Sequence, residues 1–187
     1  MSEVDIIKSD LECMLSERRY LHCLRVAEEA KKLASIYSCN EYRAYLAGLV
    51  HDIAKEFSYE DNKEAVLKYH LSFDLLEPDY KKILHSDIGS CLVRDKYGLD
   101  EEICHAIYSH TIGDIPMSLL DKIVFVADKI EPGKSYDGIE LERQLAYKDI
   151  HAAVILCMEN NHKKLRREKK KIYSKSLDVL KYLKENK

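Results

Sequence analysis

The sequence predicts an all-α fold of seven to nine helices in a single domain, and three observations support it. Apolar residues recur three and four positions apart in stretch after stretch, the helical period and not the alternation of a half-buried strand. Only six glycines and three prolines occur in 187 residues, few for a turn-rich β fold. A chain of this length can bury a substantial core as one domain, and no linker, internal repeat or low-complexity tract divides it. The pattern does not read as a regular up-down bundle.

Val4, Ile7, Leu11 and Leu15 place a first helix over residues 3–15. A second runs over about 17–37 with Val26, Ala27, Ala30, Leu33 and Ala34 as its stripe; His22, four residues before Val26, falls on the same buried side. The third, over about 41–54, delivers His51 and Asp52, with Ala47, Val50 and Ala54 reading as its buried face. Neighbouring side chains on a helix point about 100° apart. His51 and Asp52 therefore cannot both be outward decoration unless the helix ends there. Ser58 caps a short helix through Tyr69, and Leu75-Leu76-Glu77-Pro78 closes that region.

From Asp79 to Tyr97 the pattern is helical again and is closed by Gly98, with His85, Ile88, Gly89 and Leu92 sharing a face. Gly89, one turn beyond His85, would let something bulky come close. The next helix opens at Asp100 and carries Ile103, Ala106, Ile107 and His110 on one side. A polar loop, Thr111 to Pro116, leads into a helix over about 117–130. Leu120, Val124, Ala127, Asp128 and Glu131 are in register there, and Pro132-Gly133 stops it. Two more helices are expected near 139–160 and 162–185.

Composition narrows the function classes. Apolar residues make up 46% and charged residues 34%, ordinary for a soluble globular protein, and the net charge of -3 gives no reason to expect a nucleic-acid binder. No apolar run reaches membrane-spanning length, and the acidic, polar N-terminus is unlike a secretory signal, so a cytoplasmic protein is expected. Six scattered cysteines without a C-x-x-C pair read as small core hydrophobes. Gly133-Lys134-Ser135 ends like a P-loop, but Asp128 stands where the first glycine belongs and no strand precedes it. The basic run from His162 to Lys171 reads as a solvated helix face, with nucleic-acid contact the minority reading. His70, His105, His151 and His162 fall off the stripes and receive no function. One or two of the thirteen tyrosines could stack on a base. A homodimer is a prior only, since two-fold dimers are the commonest homo-oligomers.

His22, His51, Asp52, His85, His110 and Asp128 come from five helices, and each aligns with an apolar stripe. A lone histidine on such a face is usually a satisfied core residue, because neutral imidazole needs only two hydrogen-bond partners. Four histidines with two aspartates are harder to absorb that way, since buried carboxylates stay charged and need compensation. Imidazole and carboxylate together suit zinc, manganese or iron. Six ligands exceed what one open catalytic metal needs, which favours two metals about 3.5–4 Å apart.

The ordered pattern His22, His51-Asp52, Asp128 resembles the HD-domain metal-dependent phosphohydrolases, and His85 and His110 match the branch that holds two metals. Closer still, five motifs are similar to the YqeK-type bis(5'-nucleosyl)-tetraphosphatases: Arg19-Tyr20-Leu21-His22, His51-Asp52-Ile53-Ala54-Lys55, His85-Ser86-Asp87-Ile88-Gly89, Ser109-His110-Thr111 and Ala127-Asp128-Lys129-Ile130-Glu131-Pro132-Gly133. The resemblance spans about residues 18–160. It implies an HD-domain helical fold over 1–187, with its metal-site core over about 18–133 and C-terminal helices over about 139–185. It also implies symmetrical hydrolysis of diadenosine tetraphosphate to two ADP at a two-metal centre, iron first, with manganese, zinc or cobalt as alternatives.

Carried over by residue, the resemblance implies that His22, His51, Asp52 and Asp128 hold the first metal. Asp52 then bridges to a second held with His85 and His110. A hydroxide between two metals has a lowered pKa and could attack an inner phosphorus in line. Lys55, one turn past His51, is a candidate phosphate clamp or leaving-group acid, against the plain reading of an exposed lysine. Arg19 could bind phosphate or pair with surface glutamates. Thr111 and Glu131 could orient ligand histidines, or serve as cap or core, and Thr111 counts with Arg19, Lys55 and Lys134 among the candidate substrate contacts. Lys134 stands where an arginine is expected, which replaces a bidentate fork with a point charge at a substrate contact. Two alternatives remain: hydrolysis of another, mononucleotide substrate, and a non-catalytic nucleotide- or RNA-binding module.

Overall fold

The computed structural model describes residues 2–78 and 80–186, and its regular structure among them is helical throughout. The helices are α1 (Glu3–Met14), α2 (Glu17–Ile36), α3 (Glu41–Val50), α4 (Tyr59–Lys68), α5 (Leu84–Tyr97), α6 (Glu101–Ser109), α7 (Leu119–Ile130), α8 (Ile139–Ala146), α9 (Ile150–Arg167) and α10 (Ser174–Glu185), with a 3-10 turn at Phe73–Leu76. Local chemistry sets most of the starts. Ser2 with Asp5, Ser58 with Asp61 and Ser118 with Asp121 form reciprocal capping boxes. Asn40, Asp100 and Asp149 each accept a backbone N–H of the following turn.

Helix α7 is the hub. It packs against α2, α3, α6 and α9, and Leu120, Ile123, Val124, Phe125, Val126 and Ala127 are all buried. A helix that is apolar nearly all round belongs at the centre of a domain. Helices α2 and α3 form the most extensive pair, with Ala27, Ala30, Leu33, Leu46 and Leu49 sealed between elements. A smaller cluster of Ala54, Ala65, Val66, Leu84 and Ile88 lies beneath α4.

The ten α-helices among the described residues exceed the seven to nine expected, and the difference lies in the C-terminal third. The expected helix over 139–160 is broken around Tyr147–Asp149, where the Asp149 side chain caps α9. Helix α9 then runs unbroken through the expected junction at 161 and stops at Arg167. Leu145, Ala146 and Ile150 keep helical spacing across the first break, so periodicity alone misses it, and the basic stretch from His162 to Lys171 holds only Leu165 to mark where α9 ends. The expected helix over 79–97 begins at Leu84; Asp79, together with Met1 and Lys187, lies outside the described residues.

Helix α3 also stops earlier than expected, at Val50, and the backbone turns through residues 51–56. Amides of Ile53, Lys55 and Phe57 bond the carbonyls of Val50, Asp52 and Ala54. These tight turns send His51, Asp52 and Ile53 all inward, which a continued α-helix would not allow. Gly89 meets Ile53 and Ile107 on this side, so the bulky neighbours it admits are core side chains.

Gly48 lets α3 lie directly on α2: a Cβ there would stand 2.9 Å from Ala27 Cα and 3.0 Å from the Val26 carbonyl oxygen. Both obstacles are backbone, so the helices themselves must part. Gly48→Ala is expected to destabilise the protein by about 1–3 kcal/mol in denaturant unfolding, although alanine gains about 1 kcal/mol in helix propensity. An unchanged or raised midpoint would contradict the tight helix contact.

Candidate metal centre

Each of the six sequence-derived ligands projects from a helix or its end into one buried cluster. His22 comes from α2, His85 from α5 and Asp128 from α7, while His51 and His110 occupy the C-terminal caps of α3 and α6. The last carbonyls of a helix lack intrahelical partners. His51 Nδ1 donates to the Gly48 carbonyl at 2.7 Å, and His110 Nδ1 donates to that of Ile107 at 2.5 Å. A carbonyl can only accept, so these ring nitrogens carry the proton and both Nε2 lone pairs point into the cluster. His22 is set in the same way, with Nδ1 3.1 Å from Glu131 Oε1.

Asp52 sits in the middle with its two oxygens facing opposite ways. Oδ2 lies 3.4 Å from His51 Nε2 and 3.8 Å from His22 Nε2. Oδ1 lies 3.1 Å from His85 Nε2 and 3.6 Å from His110 Nε2. Two donor groups result, His22–His51–Asp52 and Asp52–His85–His110, the atoms of each within 4.8 Å of one another. Asp128 Oδ1 flanks the first, 3.1 Å from His22 Nε2 and 3.7 Å from His51 Nε2. No cysteine sulfur joins either group.

The donor set fits metal ions. His22 Nε2 and His51 Nε2 are buried without a hydrogen-bond partner, although carboxylate oxygens stand close by. Bare lone pairs aimed at carboxylate oxygens repel, and a shared cation turns that arrangement favourable. Burial drives His110 down and His85 down to about 3, so both remain neutral and able to ligate. Burial alone would raise the Asp52 carboxyl, yet the polar surroundings that His51, His110 and His85 give it hold it well below the usual range. For Asp128 burial is likewise outweighed, here by the charges of Lys129 and Lys134.

Cations ring the cluster. Arg19 bonds Asp52 Oδ2 at 2.7 Å, a partner different from the surface glutamates weighed from sequence. Lys55 reaches His85 Nε2 at 3.0 Å and lies 3.8 Å from Asp52 Oδ1, with its side chain one-third exposed. Lys134 bonds the carbonyl of Asp128 and, at 3.0 Å, its Oδ1. The Thr111 hydroxyl is 3.3 Å from His110 Nε2 and 3.5 Å from His85 Nε2.

Sequence reasoning missed two members of this shell. Lys129 bonds Asp128 Oδ2 at 2.6 Å, and Arg25 bonds Glu131 Oε2 at 2.6 Å, completing a chain from Arg25 through Glu131 to His22. Adjacency to Asp128 and the i+3 spacing from His22 were the available signals. From α8, Arg143 clamps the carbonyls of Ile130, Glu131 and Lys134 and so fixes the loop that carries Glu131. Two histidines without assigned function have structural partners: His105 pairs with Asp114 and Asp121, and buried His162 meets Ser176 at 2.8 Å.

Comparison with known proteins follows the same lines. The HD domain family matches residues 19–133. The symmetrical bis(5'-nucleosyl)-tetraphosphatase of Staphylococcus aureus is 40% identical over 134 residues, 71% of this chain and 69% of that protein. The protein of the same name from Halalkalibacterium halodurans is 35% identical over 164 residues, 87% of each chain. A crystal structure from Clostridium acetobutylicum, of a predicted HD superfamily hydrolase involved in NAD metabolism, superposes with a TM-score of 0.92 at 33% identity over 100% of both chains.

Glu131 touches the centre only through His22, so its removal separates orientation from ligation. Glu131→Ala is expected to weaken metal binding by about 10–100-fold in a chelator competition, while Glu131→Gln keeps most of the affinity. Wild-type affinity in the alanine variant would show that His22 needs no orienting partner.

Proposed function

The chain belongs to the HD-domain family, in the branch of the symmetrical bis(5'-nucleosyl)-tetraphosphatases, and we propose from this that it hydrolyses diadenosine tetraphosphate at the central anhydride to two ADP. The observation that carries the reading is Asp52, one oxygen toward His22 and His51 and the other toward His85 and His110. His22, His51, Asp52 and Asp128 would hold one metal ion, and Asp52, His85 and His110 a second. Iron is the identity we favour, and the same donors accept manganese, zinc or cobalt. When bound, the pair supplies Lewis acidity that activates water and neutralises charge on phosphoryl oxygens.

The chain's own residues do the rest. Arg19 and Lys55 flank the two oxygens of Asp52 with partly exposed cationic heads, placed to grip the non-bridging oxygens of a polyphosphate. Lys55 is also placed to donate a proton to the departing ADP. Lys129 and Lys134 hold Asp128 in line and add positive charge at the rim. Thr111 sets its hydroxyl beside His85 and His110, where it would meet a phosphoryl oxygen of the substrate. Buried Cys23, Cys104 and Cys157 behave as core hydrophobes, which supports a cytoplasmic setting. Among the described residues no helix is long and apolar enough to cross a membrane.

Product analysis tests the reading. Metal-loaded protein is expected to release two ADP per diadenosine tetraphosphate. ATP plus AMP, or phosphate from a mononucleotide alone, would favour a sibling chemistry, and salt-dependent RNA binding without turnover would favour a binding module. His51→Ala and Asp52→Ala are each expected to cost at least about 100-fold in turnover and to lower bound metal by elemental analysis. Lys55→Ala should lower kcat by on the order of 100-fold with metal content intact; wild-type kinetics would remove Lys55 from the mechanism.

A further inference from the structure

The family match ends at residue 133, yet the walls around the centre continue into the C-terminal third. Two cavities open there. The larger, about 810 Å³, begins at Lys129 and Lys134 beside Asp128 and runs along α9, where Lys163, Lys164 and Arg167 line its wall. The smaller, about 330 Å³, begins at Lys129 and Thr111 on the side of His85 and His110, and Lys170 and Tyr173 also line it. Lys129 and Asn161 belong to both and stand between them. Each half of the centre is thus linked to a cavity of its own by side chains that touch its candidate ligands, Lys129 and Lys134 on Asp128 and Thr111 beside His85 and His110.

The larger cavity is built for a polyanion. Five cations line it against two carboxylates, and one of those, Glu142, already accepts hydrogen bonds from Tyr136 and Asn160. Lys163, Lys164 and Arg167 are exposed, and among the described residues none of them forms an ion pair. Like charges one turn apart on a helix destabilise it slightly. Lys163 and Arg167, one turn apart near the C-terminus of α9, thus present two like charges to the same cavity, which an anionic ligand would neutralise. Tyr136, on the same wall, offers an apolar ring face for a base. Both volumes lie within or close to the ~300–1,000 Å³ of small-molecule sites.

We propose that these cavities are two nucleotide subsites on either side of Lys129, each receiving one ADP half of a dinucleoside tetraphosphate. Lys163, Lys164 and Arg167 hold the half in the larger cavity. The inference rests on the function proposed above and deepens it. The segment beyond the family match, including the basic run read from sequence as a solvated face, becomes the element that prefers a dinucleotide to a mononucleotide.

The test pairs calorimetric titration of the metal-loaded protein with ADP and steady-state kinetics on diadenosine tetraphosphate. Wild type is expected to bind two ADP per chain. The triple variant Lys163→Glu, Lys164→Glu, Arg167→Glu is expected to bind one, and its KM is expected to rise at least about tenfold with kcat within about threefold. The neutral triple glutamine variant should fall between the two in KM and guards against misfolding from charge reversal. A single ADP site in wild type overturns the proposal, as does a reversal variant with two sites and unchanged KM. A wild type that binds two ADP but leaves diadenosine tetraphosphate intact would overturn the function while keeping the paired subsites.

Discussion

A carboxylate buried between two pairs of imidazoles is the constraint around which this protein is arranged. Asp52 is held ionised, and the ring nitrogens facing it from His51 and His110 carry lone pairs and no proton. Burying such a group without a cation costs several kcal/mol. Arg19 offsets part of that charge from one side, but its guanidinium meets only one oxygen. A centre in which acceptors converge on acceptors is a poor core and a good metal site.

The rest of the fold delivers that convergence with helix ends. His51 and His110 sit where α3 and α6 stop, and each donates to a carbonyl of its own last turn. One hydrogen bond thus satisfies an orphan backbone acceptor, selects the ring tautomer and aims the other nitrogen inward. The tight turns after Val50 then add Asp52 to the same side. Because α3 rests on α2 through Gly48, the carbonyl that anchors His51 is itself held at a tight helix contact. Metal geometry and core packing are in this way one problem.

Beyond the centre, charge is layered. Carboxylates lie innermost, and Arg19, Lys55, Lys129 and Lys134 lie directly against them or their imidazole partners. The unpaired cations of α9 stand further out along the larger cavity. Such a gradient would draw a polyphosphate inward while keeping the carboxylates of Asp52 and Asp128 ionised. It also divides labour along the chain. The family match covers residues 19–133, and the C-terminal helices line the cavities next to the cluster.

How much of this was legible in one dimension follows from the range of the forces involved. Helices and their caps were readable because the 3.6-residue period and the Ser, Asn and Asp caps act within a turn. The six cluster residues were readable because each lies on an apolar stripe, which marks it as inward-facing before any partner is known. The sequence could not show which oxygen of Asp52 faces which imidazole, or that Lys129, Arg25 and Lys134 would be engaged as they are. Nor could it show that the exposed Lys163, Lys164 and Arg167 line a cavity. Those are distances between residues far apart along the chain, set by how α2, α3, α7 and α9 pack, and no local pattern encodes them. Helical periodicity decided which side chains turn inward; only the packed tertiary structure decided what they meet there.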